Sequence, residues 1–222
     1  MTTFPNSPRL LKGSLVLIDP ACAAVQRVIA LQYNPDTLTR TLQVRGASAD
    51  GGDGGDRSEA LRLTGPPVET IKLDAEIDAT DQLEFPDQNP NATQFGIHPQ
   101  LAALETIIYP TNSQLQTNNR LAQSGTLEIA PAESPLTLFV WSKNRVLPVR
   151  LTDFSVTEEA FDPQLNPIRA KVSLGMRVLS VNDLPFNHKG GSLFMAYHQQ
   201  KERLAALNPG VSLSALGITR IP

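Results

Sequence analysis

The sequence predicts a mainly β fold of the α+β class, with antiparallel strands and flanking helices. One observation is the stretch from Pro135 to Ser180, in which apolar and polar residues alternate between short turn-like connections. Successive side chains of a strand point to opposite faces, so such a segment packs on one face and meets water or a partner on the other. A second observation is the supply of turn formers, 18 prolines and 14 glycines, which favours short strands and many turns.

Three strands are predicted within this stretch. The first runs from Leu136 to Trp141 and is followed by a polar tight turn. The second runs from Arg145 to Glu158, and the third begins at Ile168, after a connection in which two prolines remove backbone donors. The charged residues on the polar face of the third strand are Arg169, Lys171 and Arg177.

Further strands are predicted on both sides of this stretch. They cover residues 14–18, 26–33, 37–45, 61–64, 68–78 and 126–129. Arg40 interrupts the apolar face of segment 37–45, which indicates an edge or interface strand. Segment 68–78 alternates most regularly. Its outward residues are Lys72, Asp74, Glu76 and Asp78.

Two helices are predicted from apolar residues at helical spacing. One covers residues 98–109, and the other begins at a Ser192 cap and ends near Leu207. Residues 80–95 are polar and rich in proline and predict a loop, whereas 112–124 fit either a weak helix or a surface loop. We expect one β domain over residues 1–181, with a loop insertion at 46–59, followed by a C-terminal helix and tail over 182–222.

Bulk composition narrows the possible partners and location. The net charge of −3 and the pI of about 5.6 argue against nucleic acid as a partner. No apolar run is long enough for a signal peptide or a membrane span, so we expect synthesis in the cytoplasm and no direct membrane insertion. The single cysteine, Cys22, excludes an internal disulfide.

The glycine-rich segment 46–59 has two interpretations. Each glycine loses much backbone entropy on ordering, which favours a flexible loop. Residues Gly51–Asp56 also match the start of the calcium-binding repeat G-G-x-G-x-D, although that motif works in tandem and occurs here once. A calcium-dependent carbohydrate-binding β-sandwich that uses this loop and Trp141 is therefore one alternative function.

No motif in the sequence indicates an enzyme. His198 and Glu202 lie one helical turn apart but lack the further ligands that zinc requires. Glu158 and Glu159 are adjacent, so on a strand they point to opposite faces and cannot act together on one substrate. The sequence contains no nucleophile elbow, Walker loop or dinucleotide fingerprint. We therefore expect a structural or interaction protein without a cofactor or metal.

Several segments, in order, resemble the tube-initiator proteins of contractile injection systems, which are phage-tail-like particles. The most specific segments are QYNPDTLTR at residues 32–40 and EAFDPQLNPIRA at residues 159–170. The resemblance implies an antiparallel β-sandwich or barrel of the phage tail-tube type that forms a six-membered ring. Many relatives carry a LysM-like domain after the region matching residues 1–205, but the tail after Leu207 is too short for one. We carry over no role of that domain.

The resemblance implies a structural baseplate ring that joins the spike hub to the inner tube and templates tube assembly. Implied partners are further copies in a homohexamer, the inner tube protein, the spike or hub protein, and other baseplate and sheath proteins. The two charged sets, on segment 68–78 and on the third strand, would face the lumen or a stacked ring, and the sequence does not decide between them. Candidate contacts between subunits are Arg40, Trp141 and Phe161.

Another position in the same particle is also compatible with the resemblance. The chain could be the main inner-tube subunit or a tail-terminating cap, and copy number per particle distinguishes these roles from an initiator. The particle itself could be cytosolic, membrane-docked or released from the cell.

Overall fold

The longest strand runs from Arg145 to Phe161, and the other strands are arranged on its two sides. The structure is a computed structural model and describes residues 10–19, 22–45, 63–125, 134–210, 212–218 and 220–221. The strands are β1 Ser14–Ile18, β2 Val25–Ala30, β3 Leu38–Gln43, β4 Val68–Asp78, β5 Leu136–Ser142, β6 Arg145–Phe161 and β7 Pro167–Val178. The α-helices are α1 Thr80–Leu83, α2 Pro90–Phe95, α3 His98–Glu105, α4 Asn112–Gln123 and α5 Lys189–Ala206, with short 3-10 helices at Pro86–Gln88 and Leu213–Leu216.

The described strands form one seven-stranded antiparallel sheet in the order β2-β1-β5-β6-β7-β4-β3. This arrangement confirms the predicted mainly β fold with flanking helices. The predicted strands 14–18 and 68–78 have the observed bounds, and β6 runs three residues beyond its predicted end at Glu158. β3 is an edge strand, as the position of Arg40 predicted.

Strand β6 belongs to two half-sheets. β5 pairs with β6 only as far as Val149, whereas β7 pairs with β6 from Val149 to Phe161. The register shifts between Leu151 and Asp153, and an extra residue of this kind bends a strand. The bulge therefore separates a first half-sheet, β2-β1-β5-β6, from a second half-sheet, β6-β7-β4-β3.

The sheet is curled strongly enough for residues 31–37 to join its two edge strands, β2 and β3. The Leu31 N–H donates to the Gly13 carbonyl beside β1 at 2.8 Å. The next side chain, Gln32, bonds the Asp78 N–H and C=O at the end of β4, at 2.9 and 2.6 Å. In a flat sheet of ideal spacing those two places would lie on the order of 45 Å apart, far beyond the reach of adjacent residues. The half-sheets therefore wrap around a common interior, as expected of a β-sandwich or barrel.

The main hydrophobic core fills the inside of this curl. Alternate residues of β4 and β7 supply much of it, in keeping with their period of two. These residues are Ile71, Leu73, Ala75, Ile77, Ala170, Val172, Leu174 and Met176. Helix α3 adds Leu101 and Leu104, and helix α5 adds Phe194 and Tyr197. The helices therefore complete the core that the curled sheet begins.

A smaller cluster lies on the outer face of the first half-sheet. Ile18, Leu136 and Leu138 are buried there against Leu184 and Leu193, at the beginning of the C-terminal helical region. Both faces of β5 are therefore buried in its first part, which explains the four consecutive buried residues at its start.

The predicted loop at 80–95 is wrong, because this segment contains α1, a 3-10 helix and α2. Its prolines favoured a loop, but Pro86 and Pro90 stand in the first turns of their helices. A proline at that position costs no hydrogen bond, since the first N–H groups of a helix have no partner within the helix.

The predicted cap of the C-terminal helix is also wrong. Helix α5 begins at Lys189, and its cap is His188, whose Nδ1 accepts a hydrogen bond from the Gly190 N–H at 3.1 Å. Ser192 lies within the first turns, where its hydroxyl donates to the His188 carbonyl at 3.3 Å.

The remaining helical predictions have mixed outcomes. Helix α3 ends at Glu105, earlier than the predicted residue 109. The segment at 112–124 is a helix, begun by a capping box between Thr111 and Gln114. The glycine-rich segment and the predicted strand at 126–129 lie outside the described residues. None of the described helices combines the length and apolar character needed to cross a membrane.

Candidate assembly surfaces

The charged residues predicted on β4 and β7 share one face of the second half-sheet. Asp78 lies opposite Arg169, and Glu76 lies opposite Lys171. The two charged sets, between which the sequence did not decide, are thus neighbours on one surface, which we call the polar face. Its members on these strands are Lys72, Asp74, Glu76, Asp78, Arg169, Lys171, Ser173 and Arg177.

One cross-strand ion pair fixes the end of the polar face. The Arg169 Nε donates to Asp78 Oδ2 at 2.7 Å. Desolvation is the largest influence on Asp78 and raises its pKa, but hydrogen bonds from Thr80 and Arg169 outweigh it and hold the pKa below its ordinary value. The hydrogen bond to Asp78 in turn raises the pKa of Arg169. Both groups are therefore charged at neutral pH.

The other cations of β7 pair with residues outside β4. The Lys171 Nζ lies 3.3 Å from Glu159 on β6, and the Arg177 Nη2 lies 2.5 Å from Asp183, shortly after β7. The exposed charged residues of the face without an ion pair in the described part of the chain are Lys72, Asp74 and Glu76. The polar face therefore presents free charges of both signs.

A shallow groove runs along the polar face, beside the connection between β2 and β3. Its lining includes residues 33–36 and, from the sheet, Asp74, Glu76 and Lys171. The exposure of these side chains shows that the described helices leave this face uncovered. In contrast, the outer face of the first half-sheet is apolar and partly covered near α5. The outer surface of the curled sheet thus differs in character between its two halves.

Arg40 is engaged within its own chain. It lies on β3 opposite Ile71, on the core side, and its Nε donates to Glu69 Oε1 at 2.7 Å. Lys201 of α5 approaches the other oxygen of Glu69 at 3.2 Å, and Tyr197 accepts from Arg40 at 3.1 Å. Glu69 is only 4% exposed, so this carboxylate ties β3 and β4 to α5. A contact of Arg40 with another subunit stays a prediction.

One sign of this cluster is visible in the sequence. Arg40 interrupts an otherwise apolar strand face, and Glu69 occupies an inward position on β4. Buried charges need partners, so both positions call for an opposite charge nearby. Lys201, however, lies 132 residues from Glu69 along the chain, and no local pattern connects the two.

Trp141 is half-buried at the end of β5. Its ring stacks on Phe139 with centroids 5.8 Å apart and lies directly over Gly13. A Cβ at Gly13 would come within 2.7 Å of the indole, so glycine is required for this approach. The partly exposed ring remains a predicted contact between subunits.

Phe161 stands at the tip of the β6–β7 hairpin and is half exposed. The tip is organised by Asp162, whose Oδ1 accepts hydrogen bonds from the N–H groups of Gln164 and Asn166, each at 2.8 Å. The Asn166 side-chain amide is the first cause that holds the pKa of Asp162 below its ordinary value, against some desolvation. The role of Phe161 between subunits also stays a prediction.

The tip is also fixed from the side of α2 and α3. The Ile97 N–H donates to the Pro167 carbonyl at 2.9 Å, and the Asn166 amide donates to Gln94 at 3.3 Å. Gly96 approaches so closely that a Cβ there would lie 2.2 Å from the Pro167 carbonyl oxygen. These contacts hold the hairpin tip against the connection between α2 and α3.

The His198–Glu202 and Glu158–Glu159 pairs do not form a catalytic arrangement. The His198 Nε2 lies 3.4 Å from Glu202 on an exposed helix surface. Glu158 and Glu159 point to opposite faces of β6, as predicted, since they face Ala170 and Arg169 of β7 in turn. Within the described ranges, no group of three or more His, Cys, Asp or Glu side chains is placed to hold a metal.

Comparisons with known proteins give only distant similarities. No protein-family model and no curated protein matches the chain. Among solved structures, a chain from the tail of an empty gene transfer agent particle with C6 symmetry is 11% identical, with a TM-score of 0.28. A chain from the virion of a native gene transfer agent particle is also 11% identical, with a TM-score of 0.27. Each comparison covers 75% of this chain and 90% of the other. Such low scores carry no functional argument.

Proposed function

We propose that the protein is a non-enzymatic assembly component of a phage-tail-like contractile particle. In this proposal six copies form a baseplate ring between the spike hub and the inner tube, and the ring templates the tube. The sequence resemblance of residues 32–40 and 159–170 motivates the proposal. The observation that carries it is a curled sheet that leaves a charged face uncovered between two open edge strands.

The open edges suit repeated association of identical copies. A ring of identical subunits needs two different, complementary surfaces on each copy. β2 and β3 each have one unpaired side within the described sheet, and an exposed edge readily accepts another chain. The two edges differ in sequence and surroundings, as a head-to-tail contact requires.

The polar face suits the lining of a hydrated channel. Its exposed residues include both carboxylates and amines, and several are paired with each other across strands. Such a surface keeps its hydration without a strong preference for cargo of one sign. We therefore assign the polar face to the lumen of the ring, with the surface of a stacked ring as the second possibility.

Templating would work by preorganisation. A tube subunit that joins a ring loses translational and rotational freedom, which opposes the first step of polymerisation. A preformed ring that offers six sites in the correct arrangement holds neighbouring tube subunits together, so each added subunit gains contacts with both the ring and its neighbour. Polymerisation would then begin at the baseplate in preference to free solution.

The direct test is electron microscopy of particles from a strain that lacks the gene. We expect tubes and sheaths to disappear while free spike complexes remain. Particles of normal length would refute templating and favour a terminal cap. Copy number separates the remaining alternative, because an initiator contributes one ring per particle whereas a main tube subunit contributes many.

The lumen assignment has its own test in purified rings. Single cysteines at Asp74 and Lys171, in a Cys22→Ser background, are treated with a small maleimide and with a large polymer-linked maleimide. We expect the small reagent to react and the large one to be excluded from a channel. A cysteine at the exposed Gln199 on α5 is the matched control. Equal reaction with both reagents would place the polar face on the outer rim, and no reaction would place it at a subunit contact.

A further inference from the structure

The tip of the β6–β7 hairpin carries exposed apolar side chains. Phe161 is 50% exposed and Leu165 is 78% exposed. Phe95, which is 44% exposed, stands at the end of α2 between Gln94 and Gly96, two residues that contact the hairpin. Large contiguous apolar patches are rare on the surfaces of monomeric proteins, and they mark interaction sites. We call these three residues the apolar tip.

The backbone at the apolar tip is strained. Leu165 has a φ of +66°, in the left-handed region that a leucine side chain disfavours. Asparagine or glycine would adopt this conformation more easily, yet the Asp162 bonds and the Gly96 contact hold a leucine there. A strained residue that its surroundings hold in place, with its side chain almost fully in solvent, points to a role outside the folded monomer.

A second apolar surface lies on the outer face of the first half-sheet. Val28 on β2 faces Val16 on β1 and is 58% exposed, and Val140 and Val146 are paired and half-buried nearby. These four residues adjoin the outer cluster and extend beyond it toward the β2 edge. We call them the apolar strip.

The charges beside the two surfaces are complementary. Glu158 and Asp162 lie at the apolar tip, and neither has an ion pair among the described residues. The cations at the strand ends beside the apolar strip, equally without an ion pair in the described part of the chain, are Lys12, Lys143 and Arg145. Opposite charges without ion-pair partners, beside two apolar surfaces of one chain, steer identical copies into a single orientation.

From these observations we propose that the apolar tip of one copy docks on the apolar strip of a second copy. The contact is heterologous, since tip and strip are different surfaces, so it builds a ring where the rotation between copies closes and an open chain where it does not. This inference rests on the proposed ring and names one contact between neighbouring copies in it. Docking buries Leu165, which otherwise remains in water at a strained backbone position.

The test uses Leu165→Asn, with Leu207→Asn as the matched control because Leu207 is 76% exposed on the C-terminal side of α5. Asparagine tolerates the left-handed region, so the monomer should melt no lower than the wild type. Association, measured by mass photometry over a range of concentrations, should weaken about 10- to 100-fold, because the burial of one leucine is lost. The control should leave association unchanged.

Cross-linking provides an independent readout. In a Cys22→Ser background, Leu165→Cys protein is mixed with Val28→Cys protein and oxidised. A mixed disulfide is expected, whereas Leu165→Cys mixed with Gln199→Cys should give none. Absence of the mixed disulfide in assembled protein would overturn the proposed docking.

The outcomes separate this inference from the proposed function. Closed rings that are insensitive to Leu165→Asn would retain the ring and overturn the docking. Open chains that dissociate with Leu165→Asn would support the docking and refute the ring. A wild-type chain that stays monomeric at every concentration would overturn both, and the apolar tip would then serve a different protein.

Discussion

The buried carboxylate of Glu69 offers the sharpest test of how the terminal helix is held. It is 4% exposed and lies 2.6 Å from Arg40 and 3.2 Å from Lys201. Glu69→Gln keeps the size of the side chain but leaves both cations without a counter-charge. Hydrogen bonds to charged groups contribute about 1.5–3 kcal/mol each.

The expected loss in the free energy of unfolding depends on how exposed the two cations are. Arg40 and Lys201 are 26% and 36% exposed, so water partly replaces the lost partner. We therefore expect Glu69→Gln to lower the free energy of unfolding by about 2 kcal/mol rather than by the full sum. In a domain of this size that corresponds to a fall in Tm of roughly 4–8 °C.

Urea unfolding of the Glu69→Gln variant measures this loss, with the exposed Glu84→Gln as the control. The control should stay within about 0.5 kcal/mol of the wild type, as surface substitutions usually do. A double-mutant cycle with Arg40→Met should show a coupling energy, because the two residues form one cluster. If Glu69→Gln costs no more than Glu84→Gln, the cluster does not hold the helix and the reasoning fails.

Three further variants test other parts of the fold. Gly96→Ala should lower the free energy of unfolding by about 2–4 kcal/mol, because its Cβ would meet the Pro167 carbonyl. Gly210→Ala, also at positive φ but in open space, should lower it by only about 1 kcal/mol in the same thermal melts. The pKa of Asp78 is lowered by folding, so the stabilisation that its charge provides is present above the ordinary pKa and is lost as the pH falls through the folded value. Asp78→Asn should therefore weaken the dependence of the urea midpoint on pH below about pH 4, and an unchanged dependence would contradict this. His188→Ala should cost about 1 kcal/mol through loss of the helix cap, and His188→Asn should restore it, as judged by thermal unfolding.

Strand positions were predictable because alternation is a local signal. Apolar and charged residues alternate without interruption from Ile71 to Asp78, and the observed bounds of the strand, Val68–Asp78, equal the predicted ones. The period of two also identified which residues point inward on β4 and β7. What the sequence does not contain is the pairing register between strands that are distant along the chain. For this reason the charged sets around Asp78 and Arg169 looked like alternatives until their pairing made them one surface.

The helices of 80–95 were missed for a different reason. Their residues are polar and show little helical periodicity, so the prolines dominated the prediction. Pro86 and Pro90 are compatible with helix only because each stands at a first turn, and their position relative to a helix start is not visible before the helix is known. His188 was missed as a cap because histidine seldom has this role, whereas Ser192 belongs to the residues that usually do.

The order of the strands has a consequence for synthesis on the ribosome. β1 and β4 pair with β5 and β7, which follow them by roughly 100 residues, or about 5–20 s of elongation. During that interval the first hairpins leave the ribosome with unpaired edges and with apolar faces that have nothing to pack on. The later meander of β5, β6 and β7 is local and can form quickly once its residues emerge. The nascent N-terminal third is therefore the part of the molecule most exposed to aggregation and most in need of chaperone protection before the chain is complete.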